Sequence, residues 1–253
     1  TIIITVTLVI FGIGFMEGAM NNFLQSTAVI SSGHVKVVTK AYEKESSQLP
    51  NDLALFETNK IIQNLSDLYP NYFWTPRITF GGLLDTPNED GETKEQGPVF
   101  GIGIDFHSKT SRQIEIWELE KYLLHGNLPK NTNDALISTK LAKQLSVNVG
   151  STVTLISTTM DNAFTTYNFE ITGIFNLNKG QVDRQMMLVD ISGARQALGM
   201  EGAASEILGY HQSLYYNDNE ATSMRNNFNL TISDSITKVL RDEASYDALS
   251  YMN

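Results

Sequence analysis

The chain contains no cysteine among its 253 residues. That one absence excludes disulfides, zinc–thiolate sites, iron–sulfur clusters and cysteine nucleophiles. It does not fix a compartment, because an exported protein can do without disulfides. Positive charge is scarce: 18 Lys and Arg stand against 28 Asp and Glu, a formal net charge of −10. A chain this acidic lacks the basic stripe that a phosphate backbone requires, so nucleic acid is excluded as a partner. Charged residues make up 18% of the chain, below the globular norm of about 25%. Neither a disordered tail nor a coiled coil therefore describes the whole. There is no H-E-x-x-H, no G-x-S-x-G elbow and no P-loop, hence no signature of a metalloprotease, a serine hydrolase or a bound nucleotide cofactor.

The mean hydropathy of −0.15 reads as soluble, but the apolar residues are unevenly spread. Residues 1–16 read TIIITVTLVIFGIGFM, with no charge before Glu17. A spanning helix needs ~20 apolar residues, so this run reads as a membrane helix whose beginning is missing. A signal peptide has a shorter apolar core, and a buried strand would run to only ~4–8 residues. A wholly buried helix is the other open reading. Gly14 and Gly18 form a small-xxx-small pair that would let a second helix approach closely. Beyond Met16, the residues Ala19, Met20, Phe23, Leu24, Ala28 and Val29 recur at helical spacing. The helix is expected to continue as an amphipathic stalk until Ser31, Ser32 and Gly33 stop it.

The rest of the chain alternates short strands and helices. Residues 33–39 are β-branched and alternate, the pattern of a strand. Asn51 or Asp52 is expected to cap a helix to Tyr69, with Leu55, Ile61, Ile62, Leu65 and Leu68 on its apolar face. Strands follow at 74–84, with Gly81 and Gly82 marking a bulge or a close approach, and at 98–105, with a turn-rich acidic loop at 86–96 between them. The middle block is mostly β: a strand at 135–137, a short helix capped by Ser138, a hairpin over 151–175 turning at Asp161 and Asn162, and a strand at 185–189. A helix starting at Ser192 and closed by Gly199 follows. A strand-like run at 206–216 and a helix capped by Asn219 come last.

Candidate chemistry is thin. His34, His107, His125 and His211 never lie three or four residues apart. Asp105 and His107 could form a metal pair in a strand, but a surface histidine at a strand end is the plainer reading. Gly101 and Gly103 form a lone GxG without the third glycine and helix of a dinucleotide site, so they read as a strand packed on a neighbour. Glu115, Glu118 and Glu120, and Asp183 beside Arg184, read as solvated charge rather than acid–base machinery. Catalytic, cofactor and metal sites are therefore all expected to be absent.

The order of segments resembles a known family, the FtsX-like/MacB-like permeases of ABC transporters, of lipoprotein-releasing or efflux type. The resemblance is carried by GHVKVVTKAY (Gly33–Tyr42), by VFGIGIDF (Val99–Phe106) and above all by the stretch from Leu123 to Ser157, where Ser151 stands in a position that is commonly acidic. FEITGIF (Phe169–Phe175), the Asp183 turn and ISGARQALGMEG (Ile191–Gly202) continue in family order. It implies an α+β fold with three parts: a truncated membrane helix and stalk (1–32), a porter-like α/β subdomain (33–107 and 207–253), and a mainly β, sabre-like subdomain (108–206). It implies a place in the bacterial inner membrane with the core domain in the periplasm, and contact with membrane lipid. The implied partners are a cytoplasmic ABC ATPase subunit that hydrolyses the ATP, a second permease subunit in a homo- or heterodimer, and a lipoprotein or other periplasmic protein. The reading of a different class is a membrane-anchored binding or sensor domain without an ATPase.

Overall fold

A computed structural model describes residues 2–27, 32–88, 91–108, 111–177, 184–229 and 238–241. The chain opens with helix α1 (Ile2–Thr27), whose side chains are described over residues 4–16. Ile4, Leu8, Phe11, Phe15 and Met16 are each exposed by 64% or more, so this part of the helix lays large apolar side chains open. Among the described residues no helix is long and apolar enough to cross a membrane. The helix backbone runs to Thr27; the side chains of the expected stalk lie outside the described residues, and the expected span is not seen.

The core is a mixed sheet of ten strands. Strand β1 (Val35–Thr39) leads through helices α2 (Lys40–Glu45) and α3 (Thr58–Leu68) to the long strand β2 (Tyr72–Pro87), which pairs with β3 (Thr93–Ile104). Two single-turn helices, α4 (Gln113–Ile116) and α5 (Leu119–Tyr122), precede β4 (Leu123–Gly126) and β5 (Asp134–Ser138). After α6 (Thr139–Gln144) come the hairpin strands β6 (Thr152–Thr158) and β7 (Phe164–Phe175), then β8 (Met186–Asp190), α7 (Ile191–Leu198), β9 (Glu206–His211), α8 (Asp218–Asn227) and β10 (Lys238–Arg241).

Six of these strands close on themselves. β2 pairs with β3, β3 with β8, β8 with β5, β5 with β7, β7 with β6, and β6 returns to β2. The ring is filled according to the period of two that strands impose on side chains. Ala135, Ile137, Met187 and Val189 point into one core with Ile78, Phe80, Val153, Leu155, Phe169 and Ile171. Their neighbours Leu136, Met186 and Leu188 point the other way, onto Trp117, Leu119 and Phe175. Outside the ring, β9 pairs with the first part of β2, and β1 and β10 follow it in the sheet. α3 and α8 cover that outer sheet through Ile61, Leu65, Ala221, Met224 and Phe228.

The glycines read as packing positions are confirmed as such. A Cβ at Gly101 would lie 2.1 Å from the Phe80 ring, and one at Gly103 would lie 2.7 Å from Ala194 on α7. Gly82 is a close approach, with Ile156 O 2.7 Å from its Cβ position; the only β2–β3 register shift lies at Thr86/Pro87. Ser138 caps α6, and Gly199 closes α7 with φ 67°.

Other boundaries move. The helix expected from Asn51 starts only at Thr58, because Asn51–Leu53 is a single 3-10 turn and Leu55 is drawn into a bridge with Ala204. The acidic loop at 86–96 is the end of a long hairpin, since β2 and β3 run on to Pro87 and Thr93. Asp190, not Ser192, caps α7, and Asn217, not Asn219, caps α8, each by accepting a hydrogen bond from a first-turn amide. Asp183 and most of the residue 233–253 tail lie outside the described residues.

Gly101→Ala is expected to destabilise the chain by about 1–3 kcal/mol through overpacking. In chemical denaturation, adding Phe80→Leu to that variant should recover part of the loss; strictly additive losses would show that the two positions do not meet.

Candidate functional site: a buried charge network on β2

One edge of β2 serves two strands. β9 covers Tyr72–Arg77, and β6 covers Leu83–Asp85. Pro76 is compatible with this because the β3 ladder on the opposite edge begins only at Ile78, so its missing N–H breaks no bond there. Where β9 stops, Arg77 stands directly opposite Glu206. Both side chains are about 95% covered. The guanidinium meets the carboxylate through two nitrogens: Nε donates to Oε2 at 3.0 Å, and Nη2 makes a second short bond to the same oxygen. Lys36 of β1 adds a contact to Oε1 at 3.4 Å.

Burial on its own would raise the carboxyl pKa of Glu206, but Arg77 and Lys36 outweigh it and hold it at about 2. Burial would lower the pKa of Arg77, and Glu206 reverses that, so the net shift is upward. The two directions agree: the pair is ionised in the folded chain. It answers the rule that a buried charge must be matched.

Beyond Arg77, side chains take over the work of a neighbouring strand. Ser205 Oγ accepts from Thr79 N at 3.1 Å, Asn51 Nδ2 donates to Thr79 O at 3.0 Å, and Ser205 Oγ donates to Asn51 Oδ1 at 2.7 Å. Tyr42 OH pairs with Thr79 Oγ1 at 3.0 Å, and Ser157 Oγ donates to Gly81 O at 2.8 Å. None of these residues stood out as chemistry in the sequence. The one available signal was Arg77 itself, a lone charge in the apolar run WTPRITF, which in a buried strand demands a counter-charge.

A second polar feature sits at the root of β1. His34 N donates to Gly209 O at 2.9 Å, and its ring accepts the His211 amide at Nδ1 at 3.1 Å while packing edge-on to Tyr210 and Tyr216. Burial, with His211 nearby, lowers its pKa to about 4. Gly33, at φ 68°, precedes it in a position where a Cβ would lie 3.1 Å from Gly209 O.

The residues singled out from sequence do not assemble into a reaction centre. Asp105 Oδ1 accepts from His107 N and Ser108 N as a turn cap, and His107 Nε2 lies 3.6 Å from Asp190 Oδ2. Glu115 pairs with Arg112 and Glu118 with Lys121 on the surface, while Glu120 is exposed. Among the described residues no group of three or more His, Asp or Glu side chains could hold a metal ion. Gly14 lies in α1 with nothing within 4 Å of its Cβ position; Gly18 is in the same helix.

The structure is an α+β domain with a closed strand ring, an outer sheet and a leading helix. The family model described as MacB-like periplasmic core domain matches residues 1–249, and the chain belongs to that family. The fold is similar to the extracellular domain of the noncanonic ABC-type transporter YknZ from Gram-positive bacteria, with a TM-score of 0.52 and 12% identity over 82% of this chain and 99% of that one. It is also similar to the periplasmic region of MacB from Actinobacillus actinomycetemcomitans, with a TM-score of 0.54 and 12% identity over 89% of this chain and 98% of that one. A search of curated proteins finds no match.

Removing one partner of the buried pair, as in Glu206→Gln, is expected to cost about 3–5 kcal/mol because the other charge is left unmatched. Arg77→Met with Glu206→Leu should recover much of that. Because the folded pKa of Glu206 lies below the usual 4.5, its contribution is full above pH 4.5 and is lost as pH falls through about 2. His34 acts in the window above. Its folded pKa lies below the usual 6.5, so stability is full above pH 6.5 and falls on acidification toward pH 4 as the unfolded chain takes up a proton that the folded one refuses. Thermal melts of His34→Leu should show a flatter slope across that window; an unchanged slope would refute the assignment.

Proposed function

We propose that the chain is the extracytoplasmic core domain of an ABC-transporter permease in a bacterial inner membrane. It transmits movement driven by a separate cytoplasmic ATPase to a substrate outside that membrane, in lipoprotein release or efflux. The observation that carries this reading is the family match over residues 1–249, which takes in the apolar helix as well as the core. The chain itself is read as non-catalytic, with ATP hydrolysis in the partner subunit.

The exposure of α1 supports a membrane role for residues 1–16. A helix face this apolar needs an apolar surround, and residues 4–16 have none among the described residues. In this reading residues 1–32 are anchor and stalk, residues 33–107 with 207–253 form the porter-like part, and residues 108–206 form the sabre-like part. A second permease subunit approaches along α1 at Gly14 and Gly18. ATP acts at one end of a stiff helix and is read out at the other.

Full-length chain purified from native membranes should bring an ABC ATPase with it, and blocking hydrolysis in that ATPase should abolish the transport phenotype. Alkaline extraction should leave the chain with the membrane and release a form lacking residues 1–32. Recovery without an ATPase, with an unchanged phenotype, would sink the transport reading in favour of a membrane-anchored sensor.

A further inference from the structure

Between the end of β9 at Arg77 and the start of β6 at Leu83, residues 78–82 of β2 have no strand on one edge. A groove of about 370 Å3 opens there, with Phe80 and Gly81 among its lining residues. One wall is the segment 45–52 and the other is the end of the β6–β7 hairpin, residues 157–162. The walls are fixed to β2 by Asn51 and Ser157, whose bonds to Thr79 O and Gly81 O are already satisfied. A Cβ at Gly81 would have only Leu49 Cδ1 near it, at 3.9 Å, so any larger side chain at this position would fill the groove. Leu49 and Asn162, on opposite walls, both hold left-handed backbone, at φ 53° and 58°.

The lining decides the chemistry. No Lys, Arg or His borders the groove, so an anion has nothing to bind. Leu49, Pro50 and Phe80 are the only apolar residues there, and Phe80 is 1% exposed, so a lipid or an apolar drug would lose more water than it gained contact. What remains is a mixed set of donors and acceptors: the carboxylates of Glu45 and Asp52, the amides of Gln48 and Asn162, and the hydroxyl of Thr158. Neither carboxylate has a hydrogen-bond or ion-pair partner among the described residues. Carboxylates that accept and amides that both donate and accept are together matched by a run of vicinal hydroxyls. The volume falls at the lower end of the ~300–1,000 Å3 of small-molecule sites.

We infer that this groove is a binding site for a neutral, polyhydroxylated ligand, a small oligosaccharide in size and chemistry. Binding requires no ATPase, so its failure leaves the transport reading standing, and failure of that reading leaves the site standing.

The full chain in lipid nanodiscs is titrated with diacetylchitobiose, maltose and trehalose by saturation-transfer NMR. At least one sugar should bind saturably. Gly81→Leu, which fills the groove, and Asp52→Ala, at an exposed position, should each weaken it by about tenfold. Raising salt from about 50 to 500 mM should leave a neutral ligand unaffected, and spermidine should not compete. Saturable binding by none of the three sugars, binding undiminished from the unsubstituted chain in both variants, or displacement by spermidine, which would mark a cation site, overturns the inference.

Discussion

Arg77 and Glu206 meet where β2 passes from one neighbour to the next. On a single edge that strand must satisfy β9 first and β6 afterwards, and the ion pair stands at the last rung of the β9 ladder. Hydrophobic burial alone does not dictate this position, because it would hold a strand at many offsets. A matched charge pair does, since even a slip of two residues, which keeps the apolar face inward, carries Arg77 out of register and leaves Glu206 buried and unpaired. Lys36 carries the same constraint one strand further, to β1. The outer sheet and the strand ring are thus held in one register by three side chains, and the hydroxyl and amide groups of Thr79, Ser205 and Asn51 continue the line where no strand is available.

Much of this was readable along the chain and some of it was not. The local devices were: Ser138 as a cap, Gly199 as a helix stop, the 151–175 hairpin, and the packing role of Gly101 and Gly103. Each depends on neighbours within a few residues or on the absence of a Cβ. The misplaced caps at Asn51, Ser192 and Asn219 show the limit of local reading. Asp190 and Asn217, each two residues earlier, cap in place of Ser192 and Asn219, while tertiary contacts with Thr79 and Ser205 took Asn51. Ring closure could not be read at all, because β6 returns to a strand some seventy residues earlier and pairing over that distance leaves no periodic trace. The charge network failed for the same reason: Arg77 was visible as an anomaly, but its partner lies 129 positions away.

At 12% identity to both solved domains, few side chains are shared, and what the fold retains is a pattern of inward and outward positions. A fold of this kind fixes where a site can be, not what it binds. Family membership therefore speaks to the class of machine, whereas the groove at residues 78–82 of β2 is a property of this chain's own residues, set by an uncovered stretch of backbone and by Gly81.

The closed ring also bears on how such a domain behaves in company. Every strand in it pairs with two others, although residues 78–82 of β2 keep one open edge, and among the described residues the sheet ends at β4 and β10, each only four residues long. β4 finishes at Gly126, where φ is 82° and the Thr172 carbonyl occupies the space of a side chain. Short terminal strands present few unpaired backbone groups to a neighbouring molecule. At its two ends, then, the sheet offers another copy of the chain little backbone to pair with.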